Sequence, residues 1–196
     1  GDNGLSLGEH GLFGKQNLYE HGGMHVPLVI AGPGIPHGRT AAFTYLMDLF
    51  PTFAKLADAK LPEGVEGQDL LPVIRGEKPS VRPVAYLGYR DCMRSVSDGR
   101  WKLIRYPLVD RTQLFDLTAD PHELQNLAGR PEQAAKEKEL TELLATEMRR
   151  YGDTYPLTVD APAKAEWTPP TQQQLDAEDA AAKARRKKKG NGPAKK

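Results

Sequence analysis

Fifteen residues constrain this chain more than any others: Gly1-Asp2-Asn3-Gly4-Leu5-Ser6-Leu7-Gly8-Glu9-His10-Gly11-Leu12-Phe13-Gly14-Lys15. Five are glycine, and among them stand the Asp2 carboxylate, the Asn3 carboxamide, the His10 imidazole and the Lys15 ammonium. Glycine lets a backbone curl closely around an ion or ligand, at an entropic cost that a plain solvent loop rarely repays. A fold ordinarily places such a loop after a buried strand, and none precedes this one. The chain is therefore expected to be the rear portion of a longer enzyme, and its lack of an initiator Met agrees.

Composition narrows the partners. The net charge of +1 hides an asymmetry, because residues 183–196 hold eight Lys or Arg and no acid. The other 182 residues carry 19 basic and 26 acidic side chains, a net of −7, so no nucleic acid is expected on the folded body. A single cysteine, Cys92, excludes an internal disulfide framework and any multi-Cys metal site. No apolar run reaches membrane-spanning length, and no signal peptide is present in these residues. Apolar residues make up 39%, enough for a core, with 16 Pro and 19 Gly supplying many turns.

The pattern along the chain predicts an α/β fold. Val26-Pro27-Leu28-Val29-Ile30-Ala31, closed by Gly32-Pro33-Gly34, reads as a buried strand. Asp48 is placed to cap a helix from Leu49 to about Ala57, with Leu49, Phe50, Phe53 and Leu56 on one face. Residues 60–83 read as a surface connection with a short turn near Leu70 to Ile74. Strands are predicted over 84–89, 93–97, 101–106 and 113–117, with Asp98-Gly99 as a type I′ hairpin turn. Pro131 opens a helix to about Tyr151, about 30 Å long. Its stripe of Leu140, Leu143, Leu144, Met148 and Tyr151 is predicted to lie on the sheet. From Pro156 the composition predicts a disordered basic tail.

Several motifs give way to plainer readings. Asp2-Asn3 offers one charged and one neutral oxygen to a hard cation, but on these residues alone an ordinary turn is the better account. The run Gly8 to Lys15 fails as a P-loop, because Gln16 follows Lys15 where Ser or Thr is required. His21 and His25 have zinc-protease spacing, yet Gly22-Gly23 opposes a helix and no Glu follows His21. Arg90, Arg94, Arg100, Lys102 and Arg105 are read mostly as solvent-facing charges of alternating strands, and Cys92 as a small buried hydrophobe. The basic run 185–189 is read as a solvated tail.

In combination, the blocks Asp2-Asn3-Gly4, Leu7 to Lys15, Leu18-Tyr19-Glu20 and Val26 to Gly34 closely resemble the sulfatase family of alkaline-phosphatase-like hydrolases. The likeness continues through Asp48-Leu49-Phe50-Pro51-Thr52, Asp98 to Ile104 and Leu114 to Leu127, covering about residues 1–151. The later blocks resemble the C-terminal subdomain of arylsulfatase-like and N-sulfoglucosamine-sulfohydrolase-like members.

The resemblance implies the C-terminal end of an α/β/α core over 1–80, with half of a metal site. It implies a small antiparallel sheet packed by a long helix over 81–155, then a tail over 156–196. It implies Asp2 and Asn3 as ligands of Ca²⁺ (or Mg²⁺), Lys15 as the catalytic sulfate contact, and His10 in the substrate-binding block. The implied reaction is hydrolysis of sulfate esters, with a sulfated small molecule or glycan as partner and a periplasmic or secreted location. The family nucleophile, a formylglycine made within Cys-x-Pro-Ser-Arg, is expected in a missing N-terminal part, because Cys92-Met93-Arg94-Ser95 lacks the Pro. Without it the chain is expected to be inactive alone. A phosphodiesterase or phosphonate hydrolase of the same superfamily, or a non-catalytic polyanion-binding remnant, are the other readings.

Overall fold

The alternating strands of the second half fold into a four-stranded antiparallel meander. In the computed structural model, residues 1–166, 168, 170–177, 180 and 181 are described. The meander comprises β3 (Ala85–Tyr89), β4 (Met93–Ser97), β5 (Trp101–Tyr106) and β6 (Arg111–Asp116), paired in sequence order. A separate two-stranded hairpin, β1 (Ser6–Leu7) with β2 (Phe13–Gly14), lies in the glycine-rich opening. Helices α1 (Leu49–Leu56), α2 (Leu71–Ile74) and α3 (Ala134–Arg150) are the α-helices of the first 163 residues.

Both faces of the meander are covered. Register sets Val96, Leu103 and Leu114 side by side on one face. There they pack with Val84 and with Leu140, Leu144 and Met148 of α3, forming one core cluster. Leu140 and Leu144 are fully buried, each worth about 1.5–3 kcal/mol of transfer free energy. The predicted helical stripe is thus realised, and Tyr151 ends it by stacking on Tyr86 at 5.6 Å. Met93, Ile104 and Phe115 project to the opposite face, where Leu18 and Tyr19 from the first part of the chain cover them.

Double coverage corrects the reading of the strand charges. Arg94 and Lys102 are buried, not solvent-facing. An ionised side chain under a covered face needs a partner. Arg94 has Asp153, with Nε 2.5 Å from Oδ2, and Lys102 has two glutamates, Glu20 and Glu123. Arg100 pairs with Asp116 and Arg105 with Asp110, so much of the apparent basic surface is neutralised locally.

Two further expectations are corrected. Residues 26–31 form no strand and are largely exposed (Val29 by 87%), because no neighbouring strand among the described residues takes their backbone hydrogen bonds. Helix α1 buries Pro51, Thr52 and Ala54, leaving Phe50, Phe53 and Leu56 about half exposed. Thr52 sets that orientation, donating to the Asp48 carbonyl at 2.6 Å and accepting the Leu70 N–H at 2.9 Å. At the β4–β5 turn only Gly99 has positive φ (98°), so a type I′ turn, which needs two such residues, is not formed. Instead the Asp98 carboxylate accepts the N–H groups of Arg100 and Trp101 at 2.9 and 2.6 Å.

The connection 60–83 is anchored rather than superficial. Leu70, Leu71, Val73 and Arg82 are buried. Arg82 donates two hydrogen bonds to Asp48, at 2.5 and 2.6 Å, and Asp48 also accepts from Tyr45 N–H and Gln68 N–H. Burial alone would raise the Asp48 carboxyl pKa, but Arg82 and the two amides outweigh it and hold it below its ordinary value. Asp48 therefore ties Arg82 into the fold and does not cap α1 through its side chain.

After α3 the chain turns back. Leu157 packs against the α3 cluster, its carbonyl accepts from Arg105 Nε at 2.8 Å, and Ala163 N–H bonds to the Leu108 carbonyl. Residues 164–196 form a second unit. Within it residues 172–177 are helical, with Thr171 and Gln174 capping one another. The basic run 185–189 lies outside the described residues.

Candidate functional site

The opening loop is built on a close approach of two backbone segments. Residues Glu20–Met24 form one π-type turn, closed by a bond from His25 N–H to the Glu20 carbonyl at 3.0 Å. Gly22 within it has φ 71°, in the left-handed region that glycine occupies without a steric penalty. The turn brings Gly22 and Gly23 against Gly4, whose N–H donates to the Gly23 carbonyl at 2.7 Å. A Cβ on Gly4 would lie 2.7 Å from the Gly22 carbonyl carbon, so only glycine fits there. Ser6 Oγ donates to the Gly22 carbonyl at 3.1 Å, and buried Asn17 donates to Ser6 Oγ at 2.9 Å.

This knot fixes the chain on either side of Asn3. The Asn3 amide nitrogen donates to Asp2 Oδ2 at 3.0 Å. Asn3 Oδ1 is buried and has no hydrogen-bond partner. A buried carbonyl oxygen without a donor is costly unless something electropositive meets it. The Asp2 carboxyl is exposed and held below its ordinary pKa by its own N–H and that of Asn3, with the positive charge of Lys15 adding to the effect. The β1–β2 hairpin pairs Ser6 with Gly14 and so turns exposed Lys15 back toward the start of the loop, near enough for its charge to act on Asp2.

The donor set fits a hard cation: one carboxylate kept ionised and one neutral oxygen left without a donor. It is a partial set, since among the described residues no group of three His, Cys, Asp or Glu is arranged to hold a metal. His10 has φ 54° and stacks on Tyr19, the rings 3.8 Å apart and 7° from parallel. His21 and His25 do not converge: His21 meets His122 with ring centroids 4.9 Å apart, while His25 Nδ1 lies 3.8 Å from Glu20. Cys92 is partly exposed with its thiol pKa raised, chiefly by burial and then by Asp91, unlike an activated nucleophile.

Beneath the loop lies a group that the sequence pattern does not single out. Lys102, with a side chain 0% exposed, places its ammonium 3.0 Å from Glu20 Oε1 and 2.9 Å from Glu123 Oε1. Glu123, equally buried, accepts the Glu20 N–H on its other oxygen at 2.6 Å. The available signal was a lysine in the run Trp101-Lys102-Leu103-Ile104, whose other residues pack on both faces of the sheet.

The family model for the N-sulphoglucosamine sulphohydrolase C-terminal region matches residues 8–150. The chain belongs to the sulfatase family. Curated sulfatases similar to it include the N-acetylglucosamine-6-O-sulfatase of Bacteroides thetaiotaomicron, 35% identical over 79% of this chain and 30% of that protein. The choline-sulfatase of Rhizobium meliloti is 39% identical over 71% of this chain and 28% of that protein. A solved structure of a protein in complex with its substrate D-glucosamine-2-N,6-O-disulfate is similar with a TM-score of 0.71. It shows 30% identity, covering 79% of this chain and 34% of that one. The present sulfatase chain thus spans about 30% of the length of the curated relatives it matches. Among its described residues no helix is long and apolar enough to cross a membrane.

Proposed function

We propose that this chain supplies the C-terminal part of a calcium-dependent sulfuric ester hydrolase, with Asp2 and Asn3 as metal ligands and Lys15 as the sulfate contact. The observation that carries the reading is the donor-less Asn3 oxygen beside an ionised Asp2, within reach of the Lys15 charge. Bound calcium would polarise the sulfate oxygens and so favour attack at sulfur. The remaining roles fall to side chains of this chain. Asp2 contributes charge and Asn3 a neutral oxygen, both set by the Gly4–Gly23 contact. Lys15 offsets charge on the sulfuryl oxygens or the leaving oxygen. His10, held flat on Tyr19, is assigned to the substrate-binding block on the family resemblance.

The names of the similar proteins support a sulfated substrate, and two of them concern sulfated glucosamine, so a sulfated glycan is the proposed class. A periplasmic or secreted location is proposed on the family resemblance. The 196 residues contain no Cys-x-Pro-Ser-Arg, so the purified chain is expected to release no sulfate from an aryl sulfate. The test of Lys15 is binding of inorganic sulfate in the presence of Ca²⁺. Lys15→Ala should weaken it about tenfold, the loss of about 1.4 kcal/mol of charge-assisted binding. Unchanged sulfate affinity would overturn the role of Lys15, and a phosphate preference over sulfate would favour a phosphoryl ester as substrate.

A further inference from the structure

The buried group beneath the loop has more structure than a stability role requires. Two carboxylates share one ammonium on the covered face of the sheet, with Lys102 and Glu123 both 0% exposed at the side chain. Buried ion pairs contribute little net stability over apolar replacements, so their worth lies in fixing a geometry. Glu123 also has a φ of 55°, uncommon for a residue other than glycine.

The geometry fixed is that of the π-type turn. Glu123 grips the first residue of the turn twice, through the Glu20 N–H directly and through the Glu20 carboxylate by way of Lys102. From the turn, Gly23 accepts the Gly4 N–H and Gly22 accepts Ser6 Oγ. The path from β5 and the 120–123 segment to Asn3 is therefore continuous: Lys102 and Glu123, Glu20, Gly22 and Gly23, Gly4.

We propose that Lys102 and Glu123 are positioning residues for the candidate metal site, holding the turn Glu20–Met24 so that Gly23 sets where Asn3 stands. Their bearing on catalysis rests on the reading of Asp2 and Asn3 as calcium ligands; the mechanical link does not. The sequence separations, 82 residues between Glu20 and Lys102 and 103 between Glu20 and Glu123, make the sheet the platform and the loop the piece it aligns.

The test is amide hydrogen exchange on the whole chain, comparing the unaltered protein with Glu123→Gln and with the double variant Lys102→Met/Glu123→Gln. The double variant removes the buried charge from both partners, so it keeps the test usable if the single change fails to fold. Exchange at Gly4, Met24 and His25 should accelerate about tenfold or more, while Leu103, Ile104 and Leu114 in the sheet stay protected. Unchanged protection at Gly4 would overturn the proposal, as would uniform acceleration across loop and sheet, the signature of a purely structural role. A parallel titration with Ca²⁺ alone should show weaker binding by the variants. Failure of Ca²⁺ to bind the unaltered chain would remove the calcium reading, and the exchange result would still decide the positioning role.

Discussion

Replacing Gly4 by alanine tests whether the loop is built by backbone contact. Gly4 has no positive φ, so alanine can adopt its backbone conformation without strain, and any effect must be steric. The added Cβ would stand 2.7 Å from the Gly22 carbonyl carbon, 2.9 Å from its oxygen and 2.8 Å from the Gly23 oxygen. Ordinary carbon contact begins near 3.5 Å, so the turn must retreat by about 0.8 Å. All three obstacles are backbone atoms, and no flexible side chain can swing aside. Overpacking of this kind costs about 1–3 kcal/mol. Stretching the 2.7 Å Gly4–Gly23 bond adds about 0.5–1.5 kcal/mol. With Leu18 and Tyr19 buried against the sheet just before the turn, a total of about 2–4 kcal/mol should lower the melting temperature by about 4–16 °C. Calorimetry measures this, and amide spectra locate it at Gly22–Met24. Gly38→Ala is the control, since its Cβ would meet nothing within 4 Å, and it should leave both readouts unchanged. Gly4→Ala protein with unaltered melting and unaltered Gly23 resonances would refute the packing argument.

Two other perturbations concern the buried pair between Asp48 and Arg82. Asp48→Asn keeps the shape but leaves a guanidinium only 3% exposed without its counter-charge, which should cost about 3–5 kcal/mol in chemical denaturation, and adding Arg82→Met should recover much of it. Asp48 and Asp153 both have folded-state carboxyl pKa values below their ordinary ones; for each, burial acts upward and is outweighed by arginine and other hydrogen bonds. Their contribution is therefore complete above the unfolded carboxylate pKa, about 3.9, and is lost as pH falls through the lower folded values. Melting temperature recorded downward from pH 5 should fall, and Asp48→Asn should flatten that fall; an equally steep acid limb in the variant would contradict the assignment.

How far the sequence was legible depends on whether local pattern or distant contact decides a feature. Strands 93–97 and 101–106 and the helix after Pro131 are set by period and by turn residues, and they appear where the pattern places them. Alternation along β5 separates Lys102 from Leu103 by face, but it does not reveal that Leu18 and Tyr19 cover the Lys102 face from more than 80 residues away. The same limit applies to α1: the pattern puts its apolar residues on one face, and only the contacts of Thr52 with Asp48 and Leu70 decide that Phe50 points outward. Residues 26–31 have strand composition, yet a strand is defined by its neighbours. For the proposed site, the family resemblance supplies Asp2, Asn3 and Lys15 as candidates. Glu20, Lys102 and Glu123 are not marked by the pattern, because their meaning lies in a contact between segments remote in sequence.

The proposed function stands on Asp2 and Asn3 as part of a hard-cation site. Titrating Ca²⁺ into the intact chain while following the amide and side-chain resonances of residues 2–4 tests it most directly. With only these ligands among the described residues, binding should be weak, in the millimolar range or above. Saturable shifts are expected at Asp2, Asn3 and Gly4, and they should be lost in Asn3→Ala. Shifts spread over the exposed carboxylates of α3, or identical titrations of the unaltered chain and Asn3→Ala, would contradict it.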